Sequence, residues 1–350
     1  MNKGFSIVLC TYNGKSRIQA TLAHLAALQV PLDHGIEVLI VDNASTDGTA
    51  AFVQQVWNEL NAPFTLRLLS EIRPGKGNAI ETGYDAASYS YILTVDDDNW
   101  LSCDYLLNAI EILKQDPEIG ILQGISEGVF EAPPPSWVMN MQQNFVIGSP
   151  IQVPGYFPAK NFYVWGAGMV IRNSDWTNLR KLGFSFLTSK IPGKAAGEDN
   201  ETAIGFLLLG KKIFYSDKLK YQHFMPENRV RWDKLKLTFE MWAYMNYFFF
   251  LYALVQDSYE KRYTLTDYLI KKRFLDHIIM KGKSFTLKQH VAYWLKPQHD
   301  LYQLRLAYYY SIGRWFIKLN SKAMKDIKFL QSWMIPLLEK NRSFEWQGGI

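Results

Sequence analysis

Cysteine is scarce in this 350-residue sequence, which contains only Cys10 and Cys103. Two cysteines exclude a disulfide-stapled scaffold and fit a reducing compartment, and we expect both to be small buried apolar side chains. The apolar run from Phe5 to Cys10 is too short for a secretory signal peptide. We therefore expect a protein that is made in the cytoplasm and stays there.

A long uncharged apolar segment is also missing. Residues 237–255 contain one charge, Glu240, in nineteen residues, a length near the lower limit for a membrane-spanning helix. Glu240, Asn246 and several tyrosines in this segment favour an interfacial or buried helix over a true span.

Charge is divided unevenly along the chain. Residues 1–210 contain 13 Lys and Arg against 21 Asp and Glu, a net charge of −8, whereas residues 211–350 contain 25 against 12, a net charge of +13. A basic region that is also rich in aromatic residues suits docking on an anionic membrane, and it suits equally a helical subdomain with a solvated basic face. Nucleic-acid binding is disfavoured because no recognition motif accompanies the charge.

Strand and helix patterns alternate through the first 125 residues. Apolar β-branched runs predict strands at 5–10, 37–41, 65–69, 91–95 and 119–123, with helical periodicity between them. This βαβ repetition predicts an α/β fold with a mostly parallel, doubly wound sheet. Further strands are expected at 162–171 and 212–215, with helices at 174–182 and 199–209 and irregular loops at 131–158 and 183–197. His223 is expected at the end of a strand. Beyond residue 233 only helices are expected, so we place a domain boundary there, between a sheet domain (1–233) and a helical, basic and aromatic C-terminal region (234–350).

Three consecutive carboxylates, Asp96, Asp97 and Asp98, follow the fourth predicted strand. In an open α/β sheet, ligands bind at the carboxyl ends of the strands. Adjacent acids repel one another unless a cation or several donors compensate, so a divalent metal ion explains the cluster. A solvated turn that caps the next helix explains it as well, and this stretch alone does not separate the two.

Polar residues also follow the neighbouring strands. They are Thr11, Tyr12 and Asn13 after the first strand, Asp42 after the second, and Lys76 and Asn78 in a glycine-containing loop after the third. Each of these is an ordinary turn or capping signal when taken alone. Their convergence on one edge of one sheet predicts a ligand-binding site.

Five segments of the chain are Phe5-Ser-Ile-Val-Leu-Cys-Thr-Tyr-Asn13, Val41-Asp-Asn-Ala-Ser-Thr-Asp-Gly-Thr49, Gly75-Lys-Gly-Asn-Ala79, Val95-Asp-Asp-Asp98 and Gly197-Glu-Asp199. In order and spacing they resemble the motifs of family 2 inverting glycosyltransferases, which have the GT-A fold. The resemblance covers residues 4–232. It implies transfer of a sugar from a nucleotide-diphosphate sugar to a glycan or polyprenyl-linked acceptor, in cell-surface polysaccharide assembly at the cytoplasmic face of the membrane.

The resemblance also implies roles for individual residues. Thr11, Tyr12, Asn13 and Asp42 match the wall that holds the base and ribose, and Lys76 and Asn78 match a loop beside the nucleotide. Asp96 corresponds to the first acid of the DxD motif and Asp98 to the second, which coordinates Mg²⁺ or Mn²⁺. The triplet leaves the register open, because Asp97 and Asp98 could equally be the pair. Asp199 corresponds to the base that takes the proton of the acceptor hydroxyl.

Two further sites are implied less directly. His223 stands where some relatives have a metal ligand, although a single histidine is often structural. Arg231 lies in Asn228-Arg-Val-Arg-Trp232, which resembles an altered Gln-x-x-Arg-Trp signature of processive synthases and would face the diphosphate or an acceptor phosphate. Asn228 in place of Gln puts processivity in doubt.

The segment Gly166-Ala-Gly168 resembles the acceptor-side segment of the same family. Its small residues would let a substrate approach the backbone, and close strand packing explains them nearly as well. The neighbouring aromatic residues Phe162, Tyr163 and Trp165 could stack on a sugar ring.

Other functions remain as alternatives. A catalytically silent protein that binds nucleotide-sugars, or a scaffold of a glycan assembly complex, would share most of these residues. Nucleotide-sugar synthesis is disfavoured because the loop after the first strand, Thr-Tyr-Asn-Gly-Lys15, lacks the expected glycine-rich, arginine-containing sequence. A NAD-dependent dehydrogenase is disfavoured because no Gly-x-Gly-x-x-Gly motif follows that strand.

Overall fold

The structure is a computed structural model that describes residues 2–158, 163–188, 190, 197–295 and 301–341. The chain divides into two compact units, Met1–Glu227 and Asn228–Ile350. The boundary expected at residue 233 falls in the first turn of a helix of the second unit, which begins at Trp232.

Strands and helices alternate in the first unit. The strands are β1 (Asn2–Thr11), β2 (Gly35–Asp42), β3 (Thr65–Ser70), β4 (Tyr89–Asp96), β5 (Asn99–Leu101), β6 (Ile119–Phe130), β7 (Gly155–Tyr156), β8 (Val170–Arg172) and β9 (Lys212–Met225). The helices are α1 (Ile18–Ala26), α2 (Thr49–Glu59), α3 (Lys76–Asp85), α4 (Tyr105–Gln115), α5 (Ser136–Met139), α6 (Asn173–Lys181) and α7 (Glu198–Leu208).

All nine strands join one sheet in the order β3-β2-β1-β4-β8-β6-β9-β5, with β7 also paired to β9. The long pairings, β1 with β2 and β4, β2 with β3, and β6 with β9, are parallel. The short pairings of β8 with β4 and β6, of β5 with β9 and of β7 with β9 are antiparallel. The sheet is therefore mixed, because the short strand β8 runs against its neighbours in the middle of the sheet.

Two late strands differ from their predicted lengths. The strand expected at 162–171 is only Val170–Arg172, since Gly168 has a left-handed φ of 67° and ends the preceding segment in a turn; residue 162 lies outside the described residues. The strand expected at 212–215 continues to Met225. A register shift against β6 lets β9 continue past its polar middle, and this extension carries His223.

Helices cover both faces of the sheet. Apolar residues of α1, α2 and α4 join the strand residues Phe5, Ile7 and Leu9 in one buried core. On the other face α3 lies so close that a Cβ at Gly83 would stand 2.4 Å from Val8 and 3.1 Å from Val41. This close packing places the N-terminus of α3, and with it Lys76, near the carboxyl ends of the strands.

The second unit is helical in its described part. Its helices are α8 (Trp232–Glu260), α9 (Asp267–Gly282), α10 (Leu287–Leu295), α11 (Leu301–Leu319) and α12 (Ala323–Lys340). Helix α8 packs against α11 and α12. No helix in the described ranges is long and apolar enough to cross a membrane.

The expectation that both cysteines are buried is wrong. Cys103 is exposed, because it lies in the loop before α4, and Cys10 is only partly buried. Several aromatic residues of the second unit pack in its core: Trp333 is fully buried, and Trp315 packs edge-on against the buried Tyr244. Many aromatic side chains of the second unit thus stabilise its interior.

Candidate functional site

The carboxyl ends of β1, β2 and β4 lie side by side. Thr11 is in register with Asp42, and Cys10 with Asp96, so the loops that follow these strands meet at one edge of the sheet. Helices α3 and α7 begin near the same edge. This arrangement brings together the predicted site residues of the first unit.

Asp97 is held by a bidentate salt bridge. Arg17 places Nε 2.7 Å from Oδ1 and Nη2 2.7 Å from Oδ2, and the Thr11 hydroxyl donates to Oδ2 at 2.6 Å. The carboxyl is nine-tenths buried, so these charge-assisted bonds fix it tightly. Both oxygens of Asp97 are thereby turned to α1 and β1, and the Thr11 hydroxyl is occupied as well.

Asp98 faces His223. The extended part of β9 pairs with β5, and the Phe224 N–H donates to the Asp98 carbonyl at 2.9 Å. His223 is buried, with Nδ1 3.4 Å from the Val146 carbonyl and Nε2 3.5 Å from Oδ1 of Asp98. With the proton on Nδ1, the Nε2 lone pair points toward Asp98, and this buried nitrogen makes no hydrogen bond. An imidazole nitrogen and a carboxylate oxygen in this arrangement fit two ligands of a divalent cation.

The described residues do not form a complete metal cage. No group of three or more His, Cys, Asp or Glu residues in the described parts of the chain is placed to hold a metal ion. Asp98 and His223 could therefore hold a cation only together with ligands from a substrate or water.

Lys76 joins two acidic residues from distant parts of the chain. Its Nζ lies 2.9 Å from Oδ1 of Asp96, at the end of β4, and 3.3 Å from Oε1 of Glu198, at the start of α7. Burial alone would lower the pKa of Lys76, but the charges of Asp96, Glu198 and Asp199 hold this pKa well above its usual value. Lys76 is therefore a permanent cation at the centre of the site.

Asp199 lies in the first turn of α7, next to Glu198. Its Oδ1 accepts from Asn200 N and Nδ2 at 2.7 and 2.8 Å, and its Oδ2 accepts from Gly166 N at 3.1 Å. Although part of the side chain reaches solvent, protein surrounds it on most sides. This burial, together with the charge of Glu198, raises the pKa of Asp199 to about 7, against the lowering effect of Lys76. A carboxyl with this pKa can exchange a proton near neutral pH.

Tyr12, Asn13 and Asp42 line the loops after β1 and β2. The Asn13 side chain accepts from the Thr46 N–H at 2.8 Å, and Asp42 accepts from the Ser45 N–H at 3.1 Å. Tyr12 is 57% exposed, so its ring is open to a ligand. The hydrogen bond from Thr46 to Asn13 joins the two loops, and the exposed ring of Tyr12 lies beside them.

The loop before Lys76 is organised by two buried asparagines. Asn78 donates to the carbonyls of Arg73 and Pro74 at 3.3 and 3.2 Å. Asn43 donates to the Arg73 carbonyl at 2.8 Å and accepts from Gly75 N at 2.9 Å. Both of these hydrogen bonds from Asn78 lie within the loop that precedes Lys76, where they orient the lysine.

The segment Gly166-Ala-Gly168 faces the site at one end only. A Cβ at Gly166 would lie 3.7 Å from the Cβ of Asp199 and 4.0 Å from Nζ of Lys76, whereas a Cβ at Gly168 would lie 2.7 Å from the Tyr105 hydroxyl. Gly168 is thus required by packing, and Gly166 borders Asp199 and Lys76. Of the neighbouring aromatics, Trp165 is buried and unable to stack on a sugar, Tyr163 is exposed, and Phe162 lies outside the described residues.

Arg231 belongs to the second unit, where its Nε lies 3.0 Å from Oδ1 of Asp233 on the exposed start of α8. Its expected role toward a phosphate stays a prediction.

Sequence reasoning missed three residues that organise the site. Arg17 lies just before α1 and gave no local signal, because its partner is 80 positions away. Glu198 was noted only as part of a motif, yet its Oε1 contacts Lys76 while its buried Oε2 makes no hydrogen bond. Asn43 resembles any turn residue in sequence. A buried carboxylate with one oxygen next to a lysine and the other without a hydrogen bond can be recognised only in the structure.

The chain is similar to known proteins in sequence. Residues 6–177 match the family model described as Glycosyl transferase family 2. A 122-residue stretch is 31% identical to the poly-beta-1,6-N-acetyl-D-glucosamine synthase of Staphylococcus epidermidis and covers 35% of this chain and 28% of that protein. The corresponding synthase of Staphylococcus aureus is 32% identical over 122 residues, with the same coverage. The match thus spans less than a third of these relatives.

Solved structures share the fold. S. aureus TarS 1-349 in complex with UDP-GlcNAc matches with a TM-score of 0.53 at 16% identity, covering 98% of this chain and 93% of that chain. The mannosyltransferase PcManGT from Pyrobaculum calidifontis, in complex with GDP-Man and Mn²⁺, matches with a TM-score of 0.50 at 17% identity, covering 97% and 88%. These likenesses confirm the predicted fold, a GT-A type α/β sheet followed by a helical region.

The salt bridge between Arg17 and Asp97 is expected to contribute to the free energy of unfolding. Arg17→Met leaves a buried carboxylate without its cation, so we expect the free energy of unfolding to fall by about 3 kcal/mol. The double variant Arg17→Met/Asp97→Asn should recover part of this loss, because no buried charge remains. Urea unfolding measures both, with the exposed Lys15→Met as a control that should change little. A double variant that is no more stable than Arg17→Met would contradict the pairing.

Proposed function

Residues 6–177 identify the chain as a member of glycosyl transferase family 2, and from this premise we propose that it is an inverting glycosyltransferase. It moves a sugar from a nucleotide-diphosphate sugar to a hydroxyl of a glycan or lipid-linked acceptor, in cell-surface polysaccharide assembly. The observation that carries the proposal is the cluster in which Lys76 joins Asp96 to Glu198 beside Asp199.

Asp199 is the proposed base. In an inverting transfer the bond from the anomeric carbon to the acceptor oxygen forms as the bond to the diphosphate breaks. The diphosphate leaves with the bonding electron pair, and the acceptor hydroxyl gives its proton to a base on the opposite face of the sugar. Asp199 suits this task because its raised pKa lies close to neutral pH. Gly166 leaves the space beside the carboxyl open for an acceptor.

Asp96 and Asp98 are the proposed DxD pair, and Asp97 is their support. Arg17 and Thr11 bind both oxygens of Asp97, which leaves the carboxyl groups on either side of it to face the donor. Asp96 would act at the ribose, next to Lys76. Thr11, whose hydroxyl is used by Asp97, would contribute to the nucleotide wall through its backbone, beside Tyr12, Asn13 and Asp42.

Asp98 and His223 are the proposed protein ligands of Mn²⁺ or Mg²⁺. An imidazole ligand favours Mn²⁺, because Mg²⁺ prefers all-oxygen coordination. When bound, the cation would neutralise charge that develops on the departing diphosphate. Lys76 supplies a second, permanent positive charge on the side of Asp96.

Structures of similar fold support the proposed class of donor. The structures of similar fold were obtained with UDP-GlcNAc in one case and with GDP-Man and Mn²⁺ in the other. A nucleotide-diphosphate sugar is therefore the donor that we propose here, bound by the loops after β1 and β2 and beside Lys76 and Asn78. A polyprenyl-linked acceptor would place the enzyme on the cytoplasmic face of the membrane as a peripheral protein, with Arg231 available to an acceptor phosphate.

Replacing the base tests the chemistry directly. Asp199→Asn keeps the shape and several hydrogen bonds but removes the ability to take a proton, so kcat should fall about 10²- to 10⁴-fold while donor affinity stays near the wild-type value. Transfer assays over a donor panel and calorimetry with the donor measure the two effects, and exposed Asp104→Asn is the matched control. Full activity of Asp199→Asn would refute the role of Asp199 as the base. A wild-type protein that binds the donor without transfer or hydrolysis would favour a catalytically silent binding protein.

The acid limb of the pH profile is a second test. The base must be deprotonated, so kcat/KM should rise with pH up to about 7 and level off above it. Because Lys76 lowers the pKa of Asp199, Lys76→Met should move this limb to higher pH, in addition to lowering the plateau. Lys114→Met, on the exposed side of α4, should leave the limb in place. An unchanged limb in Lys76→Met would contradict the coupling of the two groups.

Metal removal gives a third test with a readout other than activity. Calorimetry with a nucleoside diphosphate should show tighter binding with Mn²⁺ than with a chelator. Asp98→Ala and His223→Ala should each weaken the Mn²⁺-dependent part by about tenfold or more and leave the metal-free affinity alone. Equal nucleotide affinity with and without Mn²⁺ in the wild type would refute the metal site. If the Mn²⁺-dependent affinity falls in Asp98→Ala and not in His223→Ala, His223 is not a ligand.

A further inference from the structure

Helices α9 and α10 leave large apolar side chains in solvent. The side chains are Tyr268, Leu275, Ile279 and Met280 on α9 and Leu287, Val291 and Leu295 on α10, between 48% and 79% exposed. Single exposed apolar residues are ordinary, but seven on two consecutive helices form a surface that costs free energy in water. We call these seven residues the apolar face of α9 and α10.

On α9 three of the four exposed apolar residues form a stripe. Tyr268, Leu275 and Ile279 fall within an arc of about 40° at 100° per residue. The other side of the helix anchors it in the unit, since Ile270 and Phe274 are buried and the Phe274 ring stacks on Phe316 at 3.6 Å. The stripe is therefore the side of α9 that the second unit does not use for its own core.

On α10 the spacing is equally regular. Leu287, Val291 and Leu295 are four residues apart, so they follow one another along one side of the helix. His290 instead turns to α11, where its Nδ1 lies 2.7 Å from the Tyr310 hydroxyl. Both helices thus have one side in the unit and one apolar side in solvent.

Exposed lysines border the apolar stripe of α9. On the helix, Lys271 lies on one side of the stripe and Lys272 on the other, and Lys283 and Lys288 follow at the connection and on α10; all four are exposed. Residues 267–295 contain six Lys and Arg against two Asp. An apolar stripe with cations along its edges is typical of a helix that lies in a membrane interface, with its apolar side among the acyl chains and its lysines at the phosphates.

We propose that the apolar face of α9 and α10 docks the protein on an anionic lipid surface. A second copy of the chain fits less well, because a symmetric contact through this face would bring its lysines against the same lysines. The docking is argued without the proposed function. Only the purpose of docking, which is to bring the enzyme to a lipid-linked acceptor, rests on that function. Of the aromatic residues of this region, Tyr268 belongs to the apolar face, whereas Trp333 and Tyr244 are core residues.

Flotation of the full-length protein with lipid vesicles tests the proposal. Wild type should float with phosphatidylcholine vesicles that contain phosphatidylglycerol and much less with phosphatidylcholine alone. Leu275→Ser/Ile279→Ser and Lys271→Glu/Lys272→Glu should each lower binding to the anionic vesicles by about tenfold or more, since the first removes apolar side chains that would enter the acyl region and the second reverses the charges that would lie at the phosphates.

Matched controls come from exposed residues of the first unit. Leu32→Ser removes a fully exposed leucine, and Lys114→Glu/Lys181→Glu makes the same charge change on α4 and α6. Both should float like the wild type. Donor hydrolysis in solution should be unchanged in all variants, so that a failure of docking and a failure of catalysis are separate results.

Three outcomes would overturn the proposal: flotation of the two face variants at the wild-type level, equal loss in the controls, or binding that does not depend on phosphatidylglycerol. A lipid-free oligomer that Leu275→Ser/Ile279→Ser disperses would assign the face to a second copy instead. Wild type that floats but transfers no sugar would support the docking face and refute the proposed function.

Discussion

The ammonium group of Lys76 is the contact on which the site depends. It stands between the carboxylates of Asp96 and Glu198, which come from β4 and α7 and would repel each other without it. Close packing of α3 on the sheet, made possible by the absence of a side chain at Gly83, brings the lysine to this position. Removing the cation would leave three acidic groups facing one another in a half-buried space, so the same contact maintains both the local fold and the charge balance.

The charge balance also sets the chemistry of Asp199. Burial and Glu198 raise its pKa, and Lys76 limits the rise to about 7. With less burial the carboxyl would be too weak a base, and without Lys76 it would be protonated at neutral pH. The three hydrogen bonds from Gly166 and Asn200 orient the carboxyl. The position of the Asp199 carboxyl is thus fixed by backbone and amide donors, and its proton affinity by the neighbouring charges.

Much of this arrangement could be predicted from the sequence. Buried β-branched strands that end in polar residues imply a sheet edge with a ligand site, and the order of the motifs indicated Asp96, Asp98, Lys76 and Asp199. The pairing of the acids could not be predicted, because Arg17 and Asp97 are 80 positions apart and nothing in the triplet separates its three members. The continuity of β9 was missed for a related reason. A strand at 212–215 and a strand ending at His223 were expected separately, and only the pairing with β5 and β6 shows that one strand runs from Lys212 to Met225.

Aromatic residues gave the least reliable signal. An aromatic and basic composition fits both a packed helical core and a membrane surface, and the two uses differ only in which side of each helix faces inward. In α8, α11 and α12 many rings face inward, as for Tyr244 and Trp333, while α9 and α10 leave aliphatic and basic side chains in solvent. Helical spacing could have suggested this division, but burial was needed to decide it.

The most direct test of the central claim is the titration of the Asp199 carboxyl itself. In protein labelled with ¹³C at aspartate side chains, its NMR signal can be identified by its loss in Asp199→Asn and followed against pH without substrate. The account predicts a pKa of about 7 for this carboxyl and a higher pKa in Lys76→Met. A signal that titrates near the ordinary aspartate value of about 4 in the wild type, or that is unmoved by Lys76→Met, would contradict it.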